Sequence, residues 1–537
     1  MIGTHSSESD LATKDLISNP EKDPRLESVR DLGFEFEKIE PSPLRLESMP
    51  RSDRFVSMSR ERSSKTSSEP FRPFWFDEAL KREGEPEAIP LEADTRADIC
   101  IVGGGYTGLW TALTLKQRKP DLNIAIIEKE RCGYGASGCN GGCLLTLATK
   151  FLSLSRFYGR AEAKRLVIAS EHAVGQIKQF TEQHGIDCDL KLDGSLYIAT
   201  NQAQVGAMDA VVQTLTEEGI NTWEKLPLSQ AKALAATTEV NEAFFSPNAG
   251  SLQPALLVRG LARVARDQGI RIYEKTPMST LSSETERPVV TTPGGSIVAG
   301  KVVLAINAWM ATEFKAFSRS IAVVSSDMAI TEPIPEQLNS LGLTHGATIC
   351  DSRTFVHYYH RTRDGRLLLG KGGNTFAYGS RMIPSFFEAS PYMAQLRNAI
   401  GRFFPKLKSV KIEQAWNGGS DRSKTGFPFF GNLNGHPNIH YGFGYSGNGV
   451  TQALLGGRIL SSLCLNLRDE WSQCGFVGGP RGLFPPEPIR WIGAMMVRNA
   501  IRRKEAAEDA GQRPHPYDTF MAAFAKSAAK TDPALPR

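Results

Sequence analysis

The sequence has no CxxC pair, no apolar run near the roughly 20 residues of a membrane-spanning helix, and little excess of either charge. Each absence excludes a class. The eight cysteines (Cys100, Cys132, Cys139, Cys143, Cys188, Cys350, Cys464 and Cys474) are irregularly spaced, which argues against a disulfide framework and favours a reducing, cytoplasmic compartment. Cys139 and Cys143 stand four apart without a His or Cys pair at zinc-finger spacing, so they are read as packing residues and no metal is expected. The opening MIGTHSSESDLATKDLISNP lacks a basic start followed by an apolar stretch, so a signal peptide is not expected. A net charge of +5 over 537 residues does not imply nucleic acid.

What is present suits a soluble enzyme. The 41% hydrophobic and 23% charged fractions are ordinary, and the length allows two packed domains. Residues 1–70 are rich in Ser, Arg, Glu, Asp and Lys with few large apolar side chains; too little surface can be buried to offset ordering entropy, and a disordered extension is expected. Order is expected to begin at the aromatic cluster Phe71 to Phe76. Ala97 to Gly103, Tyr106 to Leu115 and Asn123 to Glu128 then read as strand, helix and strand, a βαβ unit. Helices are expected at Arg160 to Gln183, Gln202 to Glu218 and Pro254 to Gln268. Strands are expected at Gly194 to Thr200, Arg271 to Glu274, Lys301 to Ile306 and Thr354 to His360, with a hairpin turn at Pro293-Gly294-Gly295.

Gly103-Gly104-Gly105-Tyr106-Thr107-Gly108 fits GxGxxG between a strand and a helix. Gly103 permits the tight turn, Gly105 lets a pyrophosphate approach the backbone, and Gly108 lets helix and strand pack closely. The helix N-terminus offers its free N–H groups and positive dipole end to the phosphates. Glu128, 20 residues beyond Gly108, is placed to accept from both ribose hydroxyls, and its charge disfavours a 2′-phosphate.

A second glycine-rich segment, Gly133-Tyr134-Gly135-Ala136-Ser137-Gly138-Cys139-Asn140-Gly141-Gly142, follows directly. Here the sequence resembles the D-amino-acid-oxidase-like family of FAD-dependent oxidoreductases, which includes glycine, sarcosine and gamma-glutamylputrescine oxidases and carries a GASGRNGG-like loop around the flavin. Cys139 stands where that pattern carries Arg, and it is also the candidate, should the flavin be covalently attached. The resemblance extends from about Phe71 to Gly511, through Gly250 to Leu256, Thr276-Pro277-Met278, Lys301 to Trp309 and Glu487 to Gly493. It implies FAD held by Gly103, Gly105, Tyr106, Thr107, Gly108, Glu128, Lys129, Gly135, Ala136, Ser137, Asn140, Gly141 and Gly142, with Met278 near the adenine and Asn307 and Ala308 at a bend beside the cofactor.

Tyr441 to Val450 (YGFGYSGNGV) opens a helix running to about Leu465, more than 300 residues from the first glycine-rich helix start. In the family this N-terminus points at the pyrimidine edge of the flavin, which implicates Ser446, Gly447, Asn448, Gly449, Val450 and Thr451. Its dipole favours negative charge that develops there. Asn448 replaces the His common in relatives.

The implied fold is α/β: an FAD-binding Rossmann-like domain (GR2-type) with an inserted α+β substrate domain. The FAD-binding parts are 71–190, 251–310 and 405–465, the substrate parts 191–250 and 311–404, and 466–537 form a C-terminal helical tail. The basic helix Arg490 to Arg503 is read as a solvated face packed on the flavin domain rather than a membrane surface. The implied reaction is hydride transfer from a primary or secondary amine or an amino acid to FAD, giving an imine that hydrolyses to an aldehyde or keto acid, with oxygen reduced to hydrogen peroxide. Tyr358 and Tyr359 are the substrate-pocket candidates, and their alternation lets only one face the flavin. Arg353, Arg361, Arg363 and Arg366 are candidates to hold a carboxylate, and Trp416 and Ser420 to reach the flavin from the substrate side. His357 and His360 are read as structural. Three alternatives stand beside this: an FAD-dependent amine dehydrogenase with a quinone or protein acceptor, a non-enzymatic flavin-binding or interaction protein, and an NAD-dependent dehydrogenase, which leaves both later glycine-rich loops unexplained.

Overall fold

A computed structural model describes residues 71–283 and 286–532, together with the backbone of a short strand, Arg54–Val56. The disorder expected over 1–70 otherwise lies outside the described residues. Arg54–Val56 departs from that expectation, since it pairs antiparallel with Thr280–Ser282.

Two sheets organise the chain. The first has parallel strands at its centre: Thr95–Val102 lies between Gly295–Leu304 and Ile124–Ile127, and Arg271–Tyr273 follows on the far side. Ile439–Phe443 also runs parallel to the C-terminal half of Gly295–Leu304. Ile99 to Val102 and Ile124 to Ile127 are buried throughout, as parallel strands covered on both faces require. Helices Tyr106–Arg118 and Gly449–Cys464 pack on each other over one face. Val289–Thr292 and the antiparallel start of Gly295–Leu304 form the expected hairpin.

The second sheet is largely antiparallel, in the order Ile412–Ser423, Ile321–Thr331, Leu367–Phe376, His357–Arg361, Thr348–Asp351, Ser195–Ala199, Glu242–Ser246 and Glu224–Lys225. Its strands come from segments that interrupt the first sheet, the topology of an inserted domain in an α/β protein. Ile412–Ser423, expected in the FAD-binding part 405–465, instead pairs along almost all of Ile321–Thr331. Its register belongs to that long antiparallel partner, which no local pattern reveals.

Two helix expectations change. Gln202 to Glu218 divides into a turn at Gln202–Gln204 and a helix Asp209–Glu217, separated at Gly206, whose φ is +82°. The basic helix extends over Ile489–Asp509 and packs on the strand Leu367–Phe376 of the second sheet rather than on the first. Arg498 Nη1 donates to Asn374 O at 3.0 Å and Arg502 Nη2 to Asn374 Oδ1 at 2.9 Å, while Asp509 pairs with Arg353. These contacts to the buried Asn374 and Arg353 tie it there.

Candidate active site

Strand Thr95–Val102 ends at Gly103, whose φ of +112° turns the chain into helix Tyr106–Arg118. A Cβ at Gly108 would lie 2.0 Å from the Gly103 carbonyl oxygen, so helix and turn meet at a distance that only hydrogen permits. Gly105 caps the helix with no side-chain acceptor, and Tyr106 N donates to Ser137 Oγ at 3.0 Å. The two glycine-rich segments are thereby tied together.

Glu128 closes the second strand. Its Oε2 accepts from Gly104 N at 2.8 Å and its Oε1 from Glu130 N at 3.0 Å. Burial raises its carboxyl above the usual range, against the pull of these N–H groups. Beneath it a buried ion pair, Arg259 to Glu274 at 2.6 Å, holds the following loop, because Glu274 Oε1 also accepts from Cys132 N.

The second loop forms a short helical turn, Ala136–Cys139. Asn140 Nδ2 donates to Ala136 O and Ser137 O, and its Oδ1 accepts from Gly142 N at 2.8 Å. Burial pushes the Cys139 thiol up to about 12, so the sulfur is held as a neutral thiol. Trp416 Nε1 donates to the Cys139 carbonyl at 2.9 Å; its ring is buried against Phe74 and Trp75 and stands outside the cavity wall.

These elements line one continuous cavity of about 970 Å³. Glu128, Lys129, Thr276, Pro277 and Met278 stand on its wall, followed by Gly103, Gly105, Tyr106, Thr107, Gly135, Ala136, Ser137, Asn140, Gly141 and Asn307. Gly447, Gly449 and Val450 line it at the start of helix Gly449–Cys464, and Ser326, Tyr358, Ser420, Asp421 and Arg422 come from the second sheet. Gly108, Gly142, Ala308, Ser446, Asn448 and Thr451 sit behind this wall. Gly108 and Ala308 serve packing, and Ser446 Oγ fixes the loop by accepting from Ser423 N at 3.1 Å.

The substrate-side candidates divide. Tyr358 lines the cavity, with its hydroxyl 3.0 Å from Ser326 Oγ, and packs so close to Gly141 that a Cβ there would fall 2.3 Å from its ring. Tyr359 points the other way, donates to Ala235 O at 2.7 Å and packs against Phe403 and Phe404, so it leaves the candidate set. The four arginine candidates also lie outside the cavity wall. Arg353 pairs with Asp351 and Asp509, Arg363 with Asp187 and Arg366 with Asp364, while Arg361 donates to Asn339 Oδ1 and Leu343 O. His357 is bonded to Asp351 at 2.8 Å and His360 Nε2 is 3.0 Å from Gly141 O, both structural contacts.

Sequence reasoning missed Arg422 and Lys530. Arg422 lay inside the segment noted for Trp416 and Ser420, two positions beyond Ser420 on the same strand face. Lys530 gave no signal, since it stands in a tail of alanines, serines and lysines far from any motif.

The DAO family model, described as FAD dependent oxidoreductase, matches residues 98–463. The chain belongs to this family. Over 375 residues it is 30% identical to the gamma-glutamylputrescine oxidoreductase of Escherichia coli K12, covering 70% of this chain and 84% of that one. Over 384 residues it is 24% identical to the glycine oxidase of Geobacillus kaustophilus, covering 68% and 93%. The crystal structure of glycine oxidase from Geobacillus kaustophilus shares the fold with a TM-score of 0.59 at 21% identity, covering 72% of this chain and 99% of that one.

This DAO-family oxidoreductase is FAD-dependent, and its cavity fits the cofactor. Its glycine-rich wall includes the acid Glu128 and two helix N-termini, at Tyr106 and Gly449. Asn307, held at φ +48°, keeps a buried Oδ1 without a hydrogen-bond partner among the described residues, an acceptor left for a ligand. Among the described residues no helix is long and apolar enough to cross a membrane, and no cluster of metal-ligating side chains is found.

Proposed function

We propose that this DAO-family enzyme oxidises a primary or secondary amine, or an amino acid, to an imine that hydrolyses to an aldehyde or keto acid, with oxygen as the acceptor and hydrogen peroxide as the product. One observation carries the reading: a single cavity is lined by Glu128, by the start of helix Gly449–Cys464 and by a wall supplied by the second sheet. A substrate on that wall would meet the part of the cavity where Gly447, Gly449 and Val450 stand. The named relatives, a gamma-glutamylputrescine oxidoreductase and a glycine oxidase, support an amine or amino acid as substrate.

In this reading the first sheet is the FAD-binding domain and the second the substrate domain. Glu128 holds the ribose, the turn from Gly103 to Thr107 the pyrophosphate, and Thr276 to Met278 the adenine side. Gly135 to Gly141 and Asn307 run along the ring system, and Gly447, Gly449 and Val450 face its pyrimidine edge. Bound FAD supplies the hydride-accepting chemistry. The protein's share is positioning and electrostatics. Helix Gly449–Cys464 directs its positive dipole end at the site, which favours negative charge there. Tyr358, anchored by Ser326, presents a ring edge and hydroxyl to the substrate. Burial holds that hydroxyl protonated, far above its ordinary range, so it acts as a hydrogen-bonding wall rather than a base. Eight unpaired cysteines, all but Cys143 buried, suit a reducing cytoplasm.

The test is a peroxide-coupled screen of amines, N-methyl amino acids, aminophosphonates and polyamine conjugates, run beside anaerobic mixing. Bleaching of the yellow chromophore together with peroxide under air is expected. Bleaching without peroxide would replace oxygen by a quinone or protein acceptor, and the absence of bleaching with every amine would overturn amine oxidation.

A further inference from the structure

The DAO family match ends at residue 463, yet one wall of the cavity is built by residue 530. The C-terminal segment reaches back to the first domain and is locked in place. Thr149 Oγ1 donates to Lys530 O at 2.8 Å, Asp532 N donates to Thr149 O at 2.9 Å, and Ser153 N donates to Asp532 Oδ2 at 2.9 Å. Asp532 is buried, and its carboxylate also receives the Ser153 hydroxyl and faces Lys150 Nζ at 3.6 Å.

This anchoring carries Lys530 Nζ into the cavity, where it donates to Gly447 O at 2.6 Å and to Asn448 Oδ1. Arg422 reaches the same place from the second sheet and donates through Nη1 to Ser446 O at 2.6 Å. A Cβ built on Gly447 would lie 3.2 Å from Arg422 Nη2 and 3.3 Å from Lys530 Nζ. The two nitrogens thus stand no more than about 6.5 Å apart, and burial together with the Arg422 charge lowers the Lys530 ammonium to about 7. Neither forms an ion pair among the described residues. Asp421, on the same wall, is turned to the Gly444 and Tyr445 N–H groups. Two basic groups in a cleft, their hydrogen bonds going to neutral oxygens, are an arrangement that an anion completes, because a bound anion favours the charged form of both.

We propose that Lys530 is a specificity-determining residue lent to the active site by the C-terminal segment, and that with Arg422 it receives an anionic group, a carboxylate or phosphonate, on the substrate. The proposal deepens the amine-oxidation reading and rests on it. Asp532 is the positioning residue: it touches no ligand and acts by holding the segment down.

The test uses the FAD-loaded full-length protein and the visible spectrum of its flavin, titrated with benzoate and with uncharged benzamide. Wild type is expected to bind benzoate with a spectral shift. K530M and R422M should each weaken benzoate at least tenfold and leave benzamide unchanged, and K530R should restore most of the loss. D532N, which releases the segment without touching the cavity, should reproduce the K530M contrast. A loss of benzamide and benzoate together in these variants would mean that the segment only shapes the fold, and would overturn the assignment. So would wild-type benzoate affinity in K530M, or no benzoate binding by wild type. Carboxylate binding that depends on Lys530 in a protein that no amine reduces would instead sink the proposed reaction and leave the anion site standing.

Discussion

Replacing Gly108 by alanine tests the proposed cofactor cradle where helix and turn meet most closely. The new methyl carbon would start 2.0 Å from the Gly103 carbonyl oxygen and 3.2 Å from Ile101 Cγ2, where ordinary contacts begin at 3.4 Å. Helix Tyr106–Arg118 must therefore retreat by roughly 1.4 Å, and the obstacle is backbone, which cannot swing aside as a side chain would. Overpacking of this kind costs about 1–3 kcal/mol, and the upper end applies here. The same retreat draws the helix N-terminus away from the cofactor phosphates, so FAD affinity of the apoprotein should fall about 10- to 100-fold. FAD titration by fluorescence quenching measures the affinity, and thermal unfolding of the apoprotein measures the stability. Gly493→Ala is the control. It lies in helix Ile489–Asp509 with nothing within 4 Å of the added methyl, so it should stabilise by up to about 1 kcal/mol and leave FAD binding alone. Wild-type affinity and melting temperature in Gly108→Ala would refute the close-contact reasoning.

Glu128→Gln should weaken FAD about tenfold or more in the same titration, because one charged acceptor for the ribose and for the Gly104 and Glu130 N–H groups is lost. Arg259→Met should lower unfolding free energy by about 2–4 kcal/mol in denaturant melts, since it leaves the buried Glu274 with only the partly exposed Arg266, at 3.4 Å, as its cation. Tyr358→Phe should raise KM for the substrate that the amine screen identifies, while Tyr359→Phe, which leaves Ala235 O without its donor, should reduce stability and spare KM. His440 is buried with Nε2 unpartnered, and burial lowers its folded pKa to about 3 from 6.5. Its neutral form is favoured by folding, so the stability is fully present above about pH 6.5 and is lost as pH falls towards 3, amounting to roughly 2 kcal/mol at pH 5. His440→Gln should flatten that acid limb of the melting-temperature profile.

The cofactor half of the molecule could be read in advance because its signals are local. Gly103 to Gly108 and Glu128 lie in one βαβ unit, where the spacing of turn, helix and strand is enough to place the acid beside the glycines. Loop Gly133 to Gly142 and helix start Ser446 to Val450 carry equally dense patterns, and their residues line or back the same cavity. The substrate half could not be read in this way. The alternation in His357–Arg361 shows that Tyr358 and Tyr359 part company, but only the packing of Tyr359 on Phe403 and Phe404 decides which of them faces inward. Ile412–Ser423 gave no sign of which sheet it would join until its pairing with Ile321–Thr331 was seen, and Arg422 came into the cavity with it. Lys530 depends wholly on Thr149, Ser153 and Asp532 drawing two distant stretches of chain together. Backbone turns and helix starts are set by neighbours within a few residues, so the amino-acid order alone determined the glycine-rich turns and helix starts that line or back the cavity. The opposite wall of the cavity is assembled from segments as far as about two hundred positions apart, and contacts at that separation exist only once the chain has folded.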